Sequence, residues 1–418
     1  SQRIDKVLKP TRGVGEQIFL YKADEEQEEA RFVVQQMQKI KDNNPEIDWG
    51  DFAILYRTNA QSRPFEDLLL HNNIPYNIVG GLKFYDRKEV KDAIAYLRII
   101  VNPEDTVSLL RIINTPRRGI GKTTMDRLMD ASQQMGIPLW EIVNDETSVN
   151  TMGGRAAKAL NQFAHMIQET KDQLDNLTAG EVLSYIIEQS GYIKELQQQG
   201  TDEADNRITN IYELYNAVQQ FQEDNEENSL DAFLASASLS SDLDDLNEKQ
   251  QKVSMMTLHA AKGLEFPVVY LVGMEQGLLP HNRTLNDPLE IEEERRLCYV
   301  GITRAQEQLF LTYTRERRLW GNREPAVSSQ FLQELPEELI DSNINVASSH
   351  RTRIRAERTS QAIDIDWSVG DRVLHHEFGA GEITHVLGSG KKATLAVKFL
   401  SMNVTKIIPK IAPMEKVE

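Results

Sequence analysis

Three segments carry residue types that could meet a phosphate or a nucleotide. The first is Thr257-Leu258-His259-Ala260-Ala261-Lys262-Gly263-Leu264-Glu265-Phe266, set between the apolar runs V-S-M-M-T-L and V-V-Y-L-V. A polar loop at the carboxyl ends of parallel strands is where an open α/β sheet places its ligands. Gly263 would let the backbone approach a ligand closely, and Glu265 would accept hydrogen bonds from ribose hydroxyls. The same pattern also fits a plain strand–loop–strand connection whose histidine and lysine face water. The second segment runs from Glu292 to Ala305, E-E-E-R-R-L-C-Y-V-G-I-T-R-A. Its acids precede its bases by about one helical turn, which suits the helix dipole and gives i,i+3 and i,i+4 pairs. Arg304 stands apart from these charges. It falls past the helix and before the strand L-F-L-T-Y, on the side of the sheet expected to bear the ligand. A guanidinium there can place a fixed planar charge on a transferring phosphoryl group; without that ligand it is a surface arginine.

The third segment is T-P-R-R-G-I-G-K, Thr115–Lys122. Gly119 and Gly121, with Thr123 just beyond, would let backbone N–H groups at a helix start approach a phosphate, while Arg117, Arg118 and Lys122 add charge. The alternative is a solvated turn between two helices. G-I-G-K-T-T has the look of a phosphate-cradling loop, but G-x-x-x-x-G-K-[ST] would need a glycine where Pro116 stands. The preceding L-L-R-I-I-N-T also reads as the end of a helix. No such loop and no acidic Walker B strand occurs in the sequence.

The elements that must hold these segments alternate at first between strand and helix. Residues 16–24 predict a strand, and Glu25–Lys41 an amphipathic helix with Ala30, Val33, Val34, Met37 and Ile40 on one side. D-F-A-I-L-Y-R is an apolar run of the buried parallel type. A helix follows over Ser62–Asn72, then the strand Y-N-I-V-G-G. This alternation predicts a doubly wound parallel sheet. From Phe84 to about Gln250 only helical patterns remain: Val90–Val101, Thr106–Asn114, Thr123–Gln134, Arg155–Leu174, Ala179–Ser190 and Ile208–Phe221. Glu223–Asn228 and Ser240–Glu248 read as acidic connectors. Strands then resume, so the expected architecture is one α/β domain (residues 1–82 and 251–336) interrupted by an all-helical insertion (83–250). Residues 337–365, with the basic run R-T-R-I-R-A-E-R, read as a linker. Residues 366–418 predict a small SH3-like or Tudor-like barrel of about five strands.

Bulk properties narrow the setting. The 418 residues suffice for about two to four domains. No apolar run is long enough for a membrane span, and the first residues lack a signal-peptide core. The single cysteine, Cys298, precludes an internal disulfide, argues against a structural zinc site and favours a reducing cytoplasm. The formal charge of −17 means that any contact with nucleic acid must rest on local basic patches.

T-L-H-A-A-K-G-L-E-F resembles helicase motif V, and E-E-E-R-R-L-C-Y-V-G-I-T-R-A resembles motif VI. Y-R-T-N-A-Q-S-R, Tyr56–Arg63, resembles motif IVa. G-M-E-Q-G-L-L-P-H, Gly273–His281, resembles the DNA-contacting loop after motif V, and T-P-R-R-G-I-G-K resembles the G-I-G element of an insertion domain. In this order and over essentially the whole chain, they resemble the C-terminal half of superfamily 1A DNA helicases, the UvrD/PcrA/Rep group, with the greatest likeness to its PcrA members from Gram-positive bacteria.

The resemblance implies a RecA-like second motor domain, a helical insertion domain and a Tudor-like barrel. It implies that Glu265, with Gly263, binds the nucleotide ribose and that Arg304 is the finger on the γ-phosphate of ATP. The Mg2+ ligands and a second γ-phosphate arginine are expected upstream of Ser1. Arg57, Asn59, His259, Lys262 and His281 would hold single-stranded DNA, and Trp320 would stack on a base. Arg117, Arg118, Gly119, Gly121, Lys122 and Thr123 would grip the duplex at the junction. The implied activity is 3′→5′ translocation and unwinding in repair and replication by a cytoplasmic monomer, with this chain alone inactive. The alternative is a non-catalytic module that docks DNA through the insertion and RNA polymerase through the barrel.

Overall fold

The computed structural model describes residues 15–151, 153–242, 251–319 and 321–343, and beyond them 371–375, 379–387, 394–399, 404–409 and 414–417. The chain divides into two compact units, Ser1–Ile344 and Asn345–Glu418.

The first unit is organised by a seven-stranded sheet. Its strands are β1 (Ile18–Ala23), β2 (Phe52–Tyr56), β3 (Tyr76–Ile78), β4 (Val253–Thr257), β5 (Phe266–Leu271) and β6 (Ala305–Thr314). A hairpin of β7 (Glu316–Leu319) and β8 (Asn322–Pro325) follows, and then β9 (Ile340–Ser342). The sheet order is β3-β4-β2-β5-β6-β1-β9, and every neighbouring pair is parallel. The helices are α1 (Glu26–Asn43) and α2 (Arg63–His71), then α3 (Lys88–Val101), α4 (Thr106–Ile112), α5 (Lys122–Met135), α6 (Leu139–Asn144), α7 (Glu146–Asn150), α8 (Gly154–Asp172), α9 (Ala179–Ser190), α10 (Tyr192–Gln199), α11 (Asp202–Asp224) and α12 (Leu230–Asp242), and finally α13 (Pro288–Ile302).

All five side chains of β2 are buried, and they alternate between two cores. Phe52, Ile54 and Tyr56 pack with Ala30, Val33 and Met37 of α1 and Phe65 and Leu69 of α2. Ala53 and Leu55 point to the opposite face, against Leu258, Leu271, Cys298 of α13 and Leu311. The period of two along a strand thus covers both faces with helices. Truncating Leu55 to alanine in such a site costs ~2–5 kcal/mol. Helices α3 to α12 have a core of their own, in which Tyr96, Leu97, Ile112, Leu160, Ile186 and Leu214 are buried. This helical layer meets the sheet through polar bonds: Arg63 Nε donates to Glu213 at 2.6 Å, and Arg87 donates to Ser62 Oγ at 2.7 Å and Asn210 Oδ1 at 2.9 Å.

Three expectations change. Residues 337–342 are not linker: Ile340–Ser342 form β9, in register with Ile18–Leu20, and Asn343 brackets the backbone N–H and C=O of Lys22. Three residues are too few for hydrophobic alternation to show, and the backbone ladder together with the Asn343 side chain recruits them. Glu223 and Asp224 close α11 instead of opening a connector, and Ser240–Asp242 end α12. The rest of the second connector, the run R-T-R-I-R-A-E-R and Trp320 lie outside the described residues. Among the described residues no helix is long and apolar enough to cross a membrane.

The second unit carries β10 (Arg372–His375), β11 (Gly379–Leu387), β12 (Thr394–Phe399), β13 (Val404–Pro409) and β14 (Met414–Val417). They form one antiparallel sheet in the order β13-β12-β11-β10-β14.

Candidate functional site

Because the strands of the large sheet are parallel, their amino ends share one edge and their carboxyl ends the other. The loop after β4 leaves from the carboxyl edge and must enter β5 at the amino edge, on the far side of β2. It therefore crosses the sheet, and its residues separate. His259 stays near the carboxyl edge, while Glu265 arrives at the amino edge, directly before Phe266. Arg304 is there too: the Phe266 N–H donates to the Arg304 carbonyl at 2.9 Å, and Phe266 pairs with Ala305. This corrects the expectation that Glu265 and Arg304 sit at the carboxyl edge. A strand–loop–strand connection between parallel strands has to return to the starting edge, so the second half of the loop cannot remain beside its first half.

At the amino edge, Arg304 folds back on the end of α13. Its Nε donates to the Val300 carbonyl at 2.9 Å, Nη1 to the Leu264 carbonyl at 2.8 Å and Nη2 to Thr303 Oγ1 at 3.0 Å. These bonds use three of the five guanidinium N–H groups and leave two for a ligand. Glu265 is exposed, with Gln306 Nε2 at 3.4 Å. A charged arginine with spare donors next to an open carboxylate fits a ligand that combines phosphate with hydroxyls. Nothing in the chain would meet a Cβ at Gly263, but its φ of +89° is open only to glycine at little cost.

At the carboxyl edge, Arg57, His259 and His281 gather around one acid. Arg57 Nε lies 3.1 and 3.0 Å from the two oxygens of Glu294, and Nη2 lies 2.7 Å from Oε1. The His281 backbone N–H donates to Glu294 Oε2 at 2.9 Å. Burial, and then the nearby Arg57 charge, lower the pKa of both His259 and His281 below its ordinary value, while Glu294 opposes this. Asn59 opens the short 3-10 turn that follows Arg57, a turn fixed by Gln61 Oε1 accepting from the N–H groups of Arg57 and Thr58. Lys262, part-way along the crossing loop, is exposed. The loop Gly273–His281 is anchored beneath by a buried network: Arg317 donates to Glu275 and Glu29, and Glu29 Oε1 accepts from the Gly273 N–H at 2.9 Å.

Glu294 was not among the residues singled out from the sequence. The signal was there. Ile291, Glu294, Cys298 and Gly301 fall on one stripe of α13, so one glutamate of the E-E-E run must face inward. Gly301 lies on that stripe because a Cβ would come within 2.5 Å of Leu258 Cδ2 and 3.4 Å of Leu271 Cδ2. The helix rests directly on the sheet at that point.

In the helical layer, Gly121 is the N-cap of α5 and has no side-chain cap, and Arg117, Gly119, Lys122 and Thr123 are exposed around it. Arg118 is turned inward, contrary to expectation. Its Nη1 donates to the Ile112 carbonyl at 3.0 Å, its Nη2 to Tyr96 Oη at 2.7 Å, and its guanidinium lies over the Phe163 ring. Its charge is spent on satisfying the carbonyls that end α4, which leaves Arg117 and Lys122 as the outward bases.

The comparisons with known proteins agree with this layout. The profile of the UvrD-like helicase C-terminal domain matches residues 1–316, and that of the PcrA/UvrD tudor domain matches residues 369–416. The whole chain aligns at 37% identity with the ATP-dependent DNA helicase PcrA of Staphylococcus aureus (strain NCTC 8325 / PS 47), covering 59% of that protein. It aligns at 38% with DNA helicase II of Haemophilus influenzae, covering 58%, and at 36% with PcrA of Bacillus subtilis (strain 168), covering 59%. The chain thus spans a little over half the length of these relatives. With a parallel α/β sheet of the RecA-like kind, an inserted helical layer and a tudor domain at its C-terminal end, the chain belongs to the UvrD-like helicase C-terminal domain family.

Proposed function

We propose that the chain supplies the second motor domain, the helical insertion and the C-terminal barrel of an ATP-dependent DNA helicase that moves 3′→5′ along a single strand. The observation that carries this reading is the separation of two clusters on one sheet. Glu265 and Arg304 stand at the amino edge, Arg57, His259 and His281 at the carboxyl edge, and the loop Leu258–Glu265 runs between them. A displacement of that loop at one edge is felt at the other.

ATP, when bound, supplies the free energy of γ-phosphoryl hydrolysis. Arg304 then directs its spare N–H groups at the γ-phosphate, and Glu265 accepts from the ribose. Gly263 lets the loop between them keep its left-handed turn. Arg57, Asn59, His259, Lys262 and His281 hold the strand, and Trp320 stacks on a base. Arg117, Gly119, Gly121, Lys122 and Thr123 hold the backbone of the duplex ahead. The 418 residues contain no G-x-x-x-x-G-K-[ST] loop, so the phosphate cradle and the Mg2+ ligands come from other residues, and this chain by itself turns over no ATP. The barrel is the surface for a protein partner such as RNA polymerase.

The test is hydrolysis of ATP stimulated by single-stranded DNA, measured on the chain alone, after addition of the N-terminal motor half of a UvrD-like helicase, and with Arg304→Ala. The expected result is no turnover alone and turnover on mixing. Removal of the finger should then lower the rate by about a thousandfold or more. Turnover by the chain alone, or an unaffected Arg304→Ala mixture, would refute the assignment.

A further inference from the structure

Three consecutive glutamates begin the charged half of α13, and the structure treats them differently. The side chains of Glu292 and Glu293 are 55% and 68% exposed and pair with Arg295 and Arg296 one turn on. Glu294 is 6% exposed. A buried carboxylate needs partners for its oxygens, because water no longer supplies them. Glu294 has Arg57 on both oxygens and the His281 N–H on Oε2. One acid therefore ties the residue after β2 to the end of the Gly273–His281 loop and to α13, elements that lie more than 200 residues further along the chain.

The edge of the guanidinium that Glu294 occupies is decisive. It takes Nε and Nη2, the side-on edge. No acceptor for Nη1 is found among the described residues. A guanidinium whose side is pinned presents its end, with Nη1 and the outer Nη2 hydrogen, as a fixed pair of donors suited to two phosphate oxygens. The Arg57 side chain is 19% exposed against 6% for Glu294, so the part of the pair that a ligand can reach belongs to the arginine. His259 and His281 lie close enough for Arg57 to depress the pKa of both.

We infer that Glu294 is a positioning residue for the single strand: its carboxylate fixes Arg57 side-on and holds the His281 loop beside it, so that the end of the guanidinium meets a backbone phosphate already oriented. This rests on the reading that Arg57 touches DNA. The competing role is that of a stand-in for the phosphate, an acid which DNA has to displace before Arg57 can bind. The two roles differ in sign. A positioning acid strengthens binding, and a displaced acid weakens it.

The experiment is the affinity of the full chain for a fluorescent oligo-dT, measured at several salt concentrations for the wild type, Arg57→Ala, Glu294→Ala, Glu294→Gln and Arg57→Ala/Glu294→Ala. Circular dichroism and denaturation curves report whether each variant is folded, and Glu294→Gln, which keeps the side-chain volume, serves if Glu294→Ala does not fold. Arg57→Ala should weaken binding and lower the salt slope by about 0.7, the value for one phosphate contact on a single strand. Glu294→Ala should weaken binding about tenfold in the wild-type background and clearly less once Arg57 is gone, where only its hold on the His281 loop is left to lose. Equal losses in both backgrounds would mean that the acid only supports the fold and would overturn the inference. Tighter binding by Glu294→Ala or Glu294→Gln would overturn it in favour of the stand-in. An unchanged affinity for Arg57→Ala would instead remove the strand-binding reading of Arg57, and the inference with it.

Discussion

His259 and His281 are held neutral by their surroundings. Burial disfavours the imidazolium, and the Arg57 guanidinium repels it, so the folded pKa of each lies below 6.5. In the unfolded chain both take up protons more readily. Their contribution to stability is therefore complete above pH about 6.5 and is lost as the pH falls below that value. The unfolding midpoint of the chain should drop between pH 7 and pH 5, and His259→Gln with His281→Gln should flatten that part of the profile. An unchanged slope in the double variant would show that other groups set the acid limit. At neutral pH the two histidines can offer a strand hydrogen bonds and ring surface but little charge, so the electrostatic share of the grip falls to Arg57 and Lys262. Arg118 makes the complementary point. A charge in a basic run is available to a ligand only if the backbone carbonyls near it have other partners.

Helix α13 connects the two edges of the sheet as one rigid element. It presents Glu294 to Arg57 at its middle, and Val300 and Thr303 to Arg304 at its end. Its distance from the sheet is set by Gly301, where a methyl group would meet the buried Leu258 and Leu271. Gly301→Ala should lift the helix from the sheet and cost ~1–3 kcal/mol by overpacking. Denaturant unfolding measures that loss. Oligo-dT affinity and, in the mixture with an N-terminal motor half, ATP turnover should fall together. Loss of one without the other would mean that the two edges do not depend on a common seating of α13. The crossing loop Leu258–Glu265 is the second such element, with Leu258 buried beneath Gly301 and Glu265 exposed at the far end.

Across the whole molecule, the helical layer and the sheet are joined by charges. Arg63, at the start of α2, is almost completely buried and reaches Glu213 and Asp67, while Arg283 pairs with Asp202 and Asp205, and Arg318 with Glu223. Breaking a buried pair by removing one partner costs ~3–5 kcal/mol, because it strands the other charge. Arg63→Met should therefore lower the unfolding midpoint, with hydrogen exchange rising first in α2 and α11. Exchange that rises equally throughout the unit would show that Arg63 is not specific to this junction. The alternation of strand and helix over residues 16–80, the sheet with helices on both faces, the helical insertion and the five short strands at the end were legible in the sequence, since each rests on a periodicity of two or 3.6 over a few residues. Helix α12 carries Leu230, Phe233, Leu234 and Ala237 at i, i+3, i+4 and i+7, a periodicity equally legible although no helix is assigned there from the sequence, and only its last residues, Ser240–Asp242, read as connector. The motifs marked which residues carry chemistry, because their types and spacing are local. The sequence could not say on which edge of the sheet each residue falls, that the inward Glu294 meets Arg57, or that Ile340–Ser342 pair with β1. Only the tertiary structure decided these, because they depend on the shuffled order β4-β2-β5 and on partners hundreds of residues away, which no spacing along the chain records.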